Sequence, residues 1–201
     1  MLDRAIQHGL RPLLTRVARQ LVHWGIGANA LSFTGFALGI AAAICIAFSQ
    51  FHAGLAMLLA SRVMDGLDGA VARATTPTDR GGFLDITLDF LFYAAIPLGF
   101  AFADPAANAL PAAVLLASFV GTGSSFLAFA ALAAQRGLQD SALPDKSFYF
   151  LGGLTEATET ITAFALMCLF PAWFPVIAWV FAALCALTTI TRLVWGWQRL
   201  R

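Results

Sequence analysis

Apolar residues Leu2, Ile6, Leu10, Leu13, Val17 and Leu21 recur every three or four positions, and Arg4, Arg11, Arg16 and Arg19 fill places between them. That period builds an amphipathic helix. A basic side opposite an apolar side suits a helix lying in the membrane interface against anionic headgroups; docking on the rest of the protein is the alternative. Gly25-Ile26-Gly27 breaks this helix, and Asn29 begins the next element. Beyond it the amphipathic period is lost. Apolar stretches follow at about 30–48, 53–73, 82–103, 108–134, 149–170 and 174–196, each long enough to cross a bilayer as a helix. Pro105, Pro111, Pro144, Pro171 and Pro175 lie in or beside the turns. The expectation is an all-α integral membrane protein: an amphipathic juxtamembrane helix over 1–24, then one domain of six transmembrane helices over 25–201.

Composition agrees with this pattern. Hydrophobic residues make up 60% of the chain and charged ones only 11%, less than half the share of soluble domains. Mean hydropathy is +0.80. The net charge of +1 gives no reason to expect nucleic acid, but the placement of charge is informative. The turns near 49–52, 104–107 and 171–175 hold none of the twelve Lys and Arg residues. Those residues fall in the N-terminal helix, the 73–82 loop, the 135–147 loop and the C-terminal end, with Arg62 in the adjoining half of the second span. By the positive-inside rule that face is cytoplasmic, so both termini are expected there. Cys45, Cys168 and Cys185 are isolated in apolar runs and read as packing residues.

The polar chemistry is concentrated between Asp65 and Asp89, in the stretch DGLDGAVARATTPTDRGGFLDITLD. Asp65 and Asp68 are three residues apart, and Asp85 and Asp89 four, so each pair shares a helix face. A short polar segment joins two apolar runs; folded as a hairpin, the runs would aim four carboxylates at one volume. Such a group beside a low-dielectric region repels itself unless countered. Hard oxygen donors call for Mg²⁺ or Mn²⁺ rather than zinc. A solvated acidic loop is the plainer alternative, but such loops do not place acids at helical spacing inside apolar runs.

Written as D-x2-D-G-x2-A-R-x8-G-x2-D-x3-D, the stretch is carried by Asp65, Asp68, Gly69, Ala72, Arg73, Gly82, Asp85 and Asp89. It resembles the signature of the CDP-alcohol phosphatidyltransferase family at all eight fixed positions. The likeness extends to the six-span layout and the basic N-terminal helix, and is strongest to a bacterial inner-membrane branch whose acceptor is poorly defined. The resemblance implies an enzyme that displaces CMP from a CDP-linked donor, usually CDP-diacylglycerol, with an alcohol acceptor. It implies two divalent cations, Mg²⁺ or Mn²⁺, at Asp65, Asp68, Asp85 and Asp89, with Asp89 also taking the proton of the attacking hydroxyl. It implies a homodimer, among membrane lipids, acting in phospholipid biosynthesis.

Donor contacts are expected around this motif. Gly69 and Ala72 leave room for a nucleotide, and Arg73 can fork onto phosphate oxygens. Gly82 would let the helix pair approach closely; packing through small residues is the ordinary reading of such positions. Thr78 can cap the following helix or touch phosphate. Asn29 and Ser32, in the segment Ala28-Asn29-Ala30-Leu31-Ser32, resemble the family's P-N-x-[LIV]-[ST] segment, with Ala28 where proline is usual. Asn29 serves equally as a plain helix N-cap.

The acceptor side is less defined. Glu156 and Glu159 stand one turn apart in an apolar run, where acids read as functional, or else as a structural pair bound to Thr155, Thr160 or Arg192. Glutamates suit a polyol or an amino-alcohol. Lys146 and Arg192, with Arg136, suit a phosphorylated acceptor instead. Two other functions compete with the transferase: a divalent-cation transporter using the acids as a pathway, and a silent CDP-lipid-binding membrane protein.

Overall fold

The computed structural model describes residues 2–136 and 155–200, with side chains from Pro12 onward. Lys146 and the first part of the stretch expected at 149–170 lie outside the described residues. The elements are α1 (Leu2–His23), α2 (Ala28–Ala47), α3 (Phe51–Ala74), α4 (Asp79–Ala103), α5 (Pro105–Gln135), α6 (Ala157–Leu169), a 3₁₀ turn (Pro171–Trp173) and α7 (Phe174–Arg199). No strand occurs among the described residues. Among the described residues, four helical segments are long and apolar enough to cross a membrane: Ala28–Ala47, Asp79–Ala103, Pro105–Gln135 and Pro171–Arg199. Helix α3 has the length but carries Arg62, Asp65, Asp68 and Arg73, and α6 is a shorter apolar helix.

Helix ends follow local chemistry. Thr78 caps α4, its hydroxyl accepting from Gly81 N at 3.1 Å. Asp104 caps α5 by accepting from Ala107 N at 3.1 Å, and Pro105 fills the first helical position, where no N–H is needed. Gly27, not Asn29, is the N-cap of α2. Asn29 falls within the first turn of the helix, because the chain turns helical two residues earlier than its side chain would require for capping.

Helix α2 packs against both α3 and α4, α5 against α4 and α7, and α1 along α3. Between apolar helices in a bilayer, tight van der Waals contact and close backbone approach do what the hydrophobic effect does in water. The α2–α4 approach is made at two glycines. A Cβ on Gly39 would lie 2.5 Å from Phe92 Cδ2, and one on Gly99 would lie 2.6 Å from the Ala43 carbonyl oxygen. Gly82, expected to play this part, meets nothing within 4 Å, because it lies at the open start of α4, before the helices come together. Below the acids, Phe92, Phe100, Phe164 and Phe174 are completely buried. Phe100 stacks on Phe174 with centroids 4.5 Å apart, and Phe92 meets Phe164 edge-on at 6.3 Å. This aromatic layer links α4, α6 and α7 and fixes the floor on which the polar end is built.

In α1, Leu14, Ala18, Leu21 and Val22 face Leu67, Ala70 and Val71 of α3, while Leu13, Val17, Arg16 and Arg19 are exposed. The apolar surface of the helix is thus divided between α3 and the exterior.

Candidate active site

Helical spacing does what the sequence promises. Asp65 and Asp68 leave one face of α3, Asp85 and Asp89 one face of α4, and the turn at 75–78 folds the two helices side by side. One carboxylate oxygen from each of Asp65, Asp68 and Asp85 falls within 4.8 Å of the other two. The recess around them is walled by Ser32, Gly35 and Phe36 of α2, Arg62 of α3, and Leu88 and Asp89 of α4. Asp68 is the most enclosed acid, only 5% exposed, and Ser32 Oγ donates to its Oδ2 at 2.6 Å. Asp85 lies at the open rim.

Asp89 stands apart from the three-acid group. Its Oδ1 accepts from Arg62 Nη1 at 2.7 Å, and the same nitrogen is 3.5 Å from Asp65 Oδ1. Sequence reading gave Arg62 only a place in the charge distribution. The signal was available: an arginine three positions before Asp65 shares its helix face, and a cation inside an apolar run needs an acid partner.

The donor set fits a hard divalent ion. Oxygens around Mg²⁺ at about 2.1 Å in octahedral array sit roughly 3 to 4.2 Å apart, so small rotamer changes would close the three carboxylates onto one ion. Asp65, Asp68 and Asp85 would hold it.

The expected donor contacts surround this recess unevenly. Ser32 lines it. Asn29 and Thr78 meet at the start of α4: a Cβ on Gly81 would lie 3.1 Å from Thr78 Oγ1 and 3.4 Å from Asn29 Oδ1. Both side chains are exposed, as is Arg73. Gly69 is not bare, since Arg73 folds back across it and a Cβ there would come within 3.2 Å of Arg73 Nη1.

None of the described acceptor candidates lines the recess. Glu156 is the N-cap of α6 and Glu159 its third residue; Glu159 Oε2 accepts from Glu156 N at 3.1 Å in a reciprocal capping box. Arg192 sits in the α5–α7 seam, donating from Nη1 to the Thr122 carbonyl at 3.0 Å with Phe126 beneath it at 5.7 Å. Thr155 and Thr188 join α6 to α7 nearby through a 3.0 Å hydroxyl pair.

A cage of aspartates on two helices, sunk at the polar end of an apolar bundle, is a candidate divalent-cation site in a membrane protein. The chain belongs to the CDP-alcohol phosphatidyltransferase family, whose sequence profile matches residues 26–191, and it is an enzyme of that type. It is 52% identical over 201 residues to the inner membrane protein YnjF of Escherichia coli strain K12, covering all of this chain and 98% of that one. It is 39% identical over 95 residues to the archaetidylinositol phosphate synthase of Methanothermobacter thermautotrophicus, which spans 47% of this chain and 45% of that enzyme. Among solved structures, its fold matches the phosphatidylinositol phosphate synthase of Mycobacterium tuberculosis with CDP-DAG bound, at a TM-score of 0.73 and 22% identity over 92% of this chain and 94% of that one. The same mycobacterial protein with manganese and citrate gives a TM-score of 0.71, also at 22% identity, over 92% and 88% of the two chains.

Proposed function

We propose that this protein transfers a phosphatidyl group from CDP-diacylglycerol, or a related CDP-alcohol, to a small alcohol with release of CMP, as a step of phospholipid biosynthesis. The observation that carries the reading is the convergence of Asp65, Asp68 and Asp85 within 4.8 Å beside Asp89. The acceptor oxygen forms a bond to the lipid-side phosphorus as the bond to the bridging oxygen breaks. CMP departs with that electron pair, and the hydroxyl proton passes to Asp89. Two divalent cations, Mg²⁺ or Mn²⁺, held by Asp65, Asp68, Asp85 and Asp89, would neutralise the diphosphate and the leaving CMP. Arg73, already folded over Gly69, is placed to fork onto phosphate oxygens, with Ser32, Asn29 and Thr78 bordering the nucleotide.

Six spans, α2 to α7, put both termini and the recess on the cytoplasmic side of a bacterial inner membrane. Helix α1 lies in the interface, with Arg16 and Arg19 toward headgroups and Leu13 and Val17 toward acyl chains. A homodimer in the bilayer follows from the family. For the acceptor, the capping box engages Glu156 and Glu159 at the start of α6, which favours the basic set, Lys146 and Arg192, and hence a phosphorylated polyol. The archaeal and mycobacterial relatives, named as synthases of inositol phosphate lipids, support the same choice.

Purified protein incubated with CDP-diacylglycerol, Mn²⁺ and a panel of alcohols tests this. CMP is expected with inositol phosphate or glycerol phosphate and not with serine, ethanolamine or unphosphorylated polyols, and EDTA should stop the reaction. CDP-diacylglycerol binding without turnover on any alcohol would mark a silent lipid-binding protein. Mn²⁺ flux across liposomes without nucleotide would mark a transporter.

A further inference from the structure

Among the described residues lining the recess, Arg62 is the one cation. A single nitrogen, Nη1, bridges an acid of α4 and an acid of α3, at 2.7 Å from Asp89 Oδ1 and 3.5 Å from Asp65 Oδ1. Asp65 and Asp89 are two of the four acids that would hold the divalent cations. The guanidinium is held on its other sides as well. Nη2 donates to Ser61 Oγ at 3.1 Å, and Ser61 donates onward to the Gly35 carbonyl of α2 at 2.7 Å. The guanidinium carbon lies 3.8 Å from the centre of the Phe92 ring. Nε, however, is buried with no partner. A buried donor left unmade is costly, so this pose serves the acids at the expense of one of the arginine's own bonds. Turning away from Asp89 would relieve that cost.

We propose that Arg62 is a placeholder for the second divalent cation: its guanidinium bridges Asp65 and Asp89 until the second ion and the donor diphosphate displace it. This rests on the two-metal reading given above. Four carboxylates against one guanidinium and one divalent ion leave a single formal negative charge, which a second divalent ion would overshoot. The incoming diphosphate supplies the missing negative charge, so Arg62 ties the second ion to the donor. Its part is positioning: it sets the order of loading and holds Asp89 out of the first ion's cage.

The test is a Mn²⁺ titration of the purified, nucleotide-free protein, with free Mn²⁺ read by electron paramagnetic resonance. Wild type should bind one ion tightly and a second at least roughly tenfold more weakly. Arg62→Met keeps an apolar stem against Phe92 but removes the charge, and should tighten the second ion by about tenfold or more. Arg62→Lys keeps the charge and should restore the wild-type gap, an outcome that a purely structural arginine does not predict. Two equally tight ions in wild type, or an unchanged second site in Arg62→Met, would overturn the proposal. Should Arg62→Met not fold, Arg62→Gln removes the same charge with a polar end and should tighten the second ion likewise. Wild type that binds no Mn²⁺ would bring down the metal reading and this proposal together, whereas one tight ion in wild type and variant alike removes Arg62 alone.

Discussion

The hydroxyl of Ser32 donates to Asp68 Oδ2 at 2.6 Å, tying the first turns of α2 to the most enclosed acid of the cage on α3. Hydrogen bonds to ionised groups contribute about 1.5–3 kcal/mol, or roughly ten- to a hundredfold in an equilibrium. Without the hydroxyl, Asp68 keeps its burial but loses its neighbour. Ser32→Ala is therefore expected to lower CMP release at least about tenfold and to raise the Mn²⁺ needed for half-maximal rate, whereas Ser32→Thr retains most activity. CMP release measured across a Mn²⁺ series checks this. An alanine variant with the wild-type rate and metal dependence would show that the bond only staples two helices.

Asp85 and Asp89 share a helix face and differ in what surrounds them. Asp85 belongs to the three-acid group at the rim, while Asp89 faces Arg62. Asp85→Asn should weaken metal binding, so that its activity partly returns as Mn²⁺ is raised. Asp89→Asn should cost about a hundredfold or more at any Mn²⁺ concentration, because the proton of the acceptor then has no base to receive it. Both variants should still insert and purify as folded protein. The measurement is the CMP-release rate against Mn²⁺, and equal rescue of the two would merge the roles.

How far the chain could be read in advance follows from these same residues. The four acids were legible because helical spacing converts sequence intervals into shared faces, and the turn that brings the faces together is short. The positions of α2 to α5 and α7 were legible because an apolar run must be helical in a bilayer. Arg62 is legible as a helix-face neighbour of Asp65, but its 2.7 Å partner, Asp89, is 27 residues away on another helix and no interval points to it. Glu156 and Glu159 read as intramembrane acids from the apolar residues around them; in the structure α6 opens at Ala157, with Glu156 its N-cap and Glu159 in its first turn. Gly82 was credited with a close approach that Gly39 and Gly99 make, and no sequence interval distinguishes one glycine's neighbours from another's.

That last contrast is itself testable. A Cβ on Gly99 would come to 2.6 Å from the Ala43 carbonyl oxygen, a backbone atom that cannot step aside, whereas one on Gly82 would enter open space. Gly99→Ala should lower thermal stability by about 1–3 kcal/mol, the usual cost of overpacking. Gly82→Ala should melt like wild type or slightly higher, since alanine favours the helix by about 1 kcal/mol. Should Gly82→Ala lose activity while melting normally, the bare backbone at Gly82 is needed by substrate and not by packing. Melting in detergent alongside CMP release separates the two effects.

The capping box at α6 gives the remaining expectation. Glu159 Oε2 accepts the Glu156 backbone N–H at 3.1 Å, satisfying one of the donors that every helix start leaves open. Glu159→Ala removes that acceptor and should cost about 0.5–2 kcal/mol of stability, while Glu159→Gln keeps an oxygen in place and should melt close to wild type. If the pair only caps the helix, the acceptor KM stays put in both variants. A rise in acceptor KM in Glu159→Gln, at unchanged melting, would instead make the carboxylate a ligand of the alcohol. It would then favour an unphosphorylated polyol or an amino-alcohol over a phosphorylated acceptor, because a carboxylate repels phosphate and binds hydroxyl or ammonium.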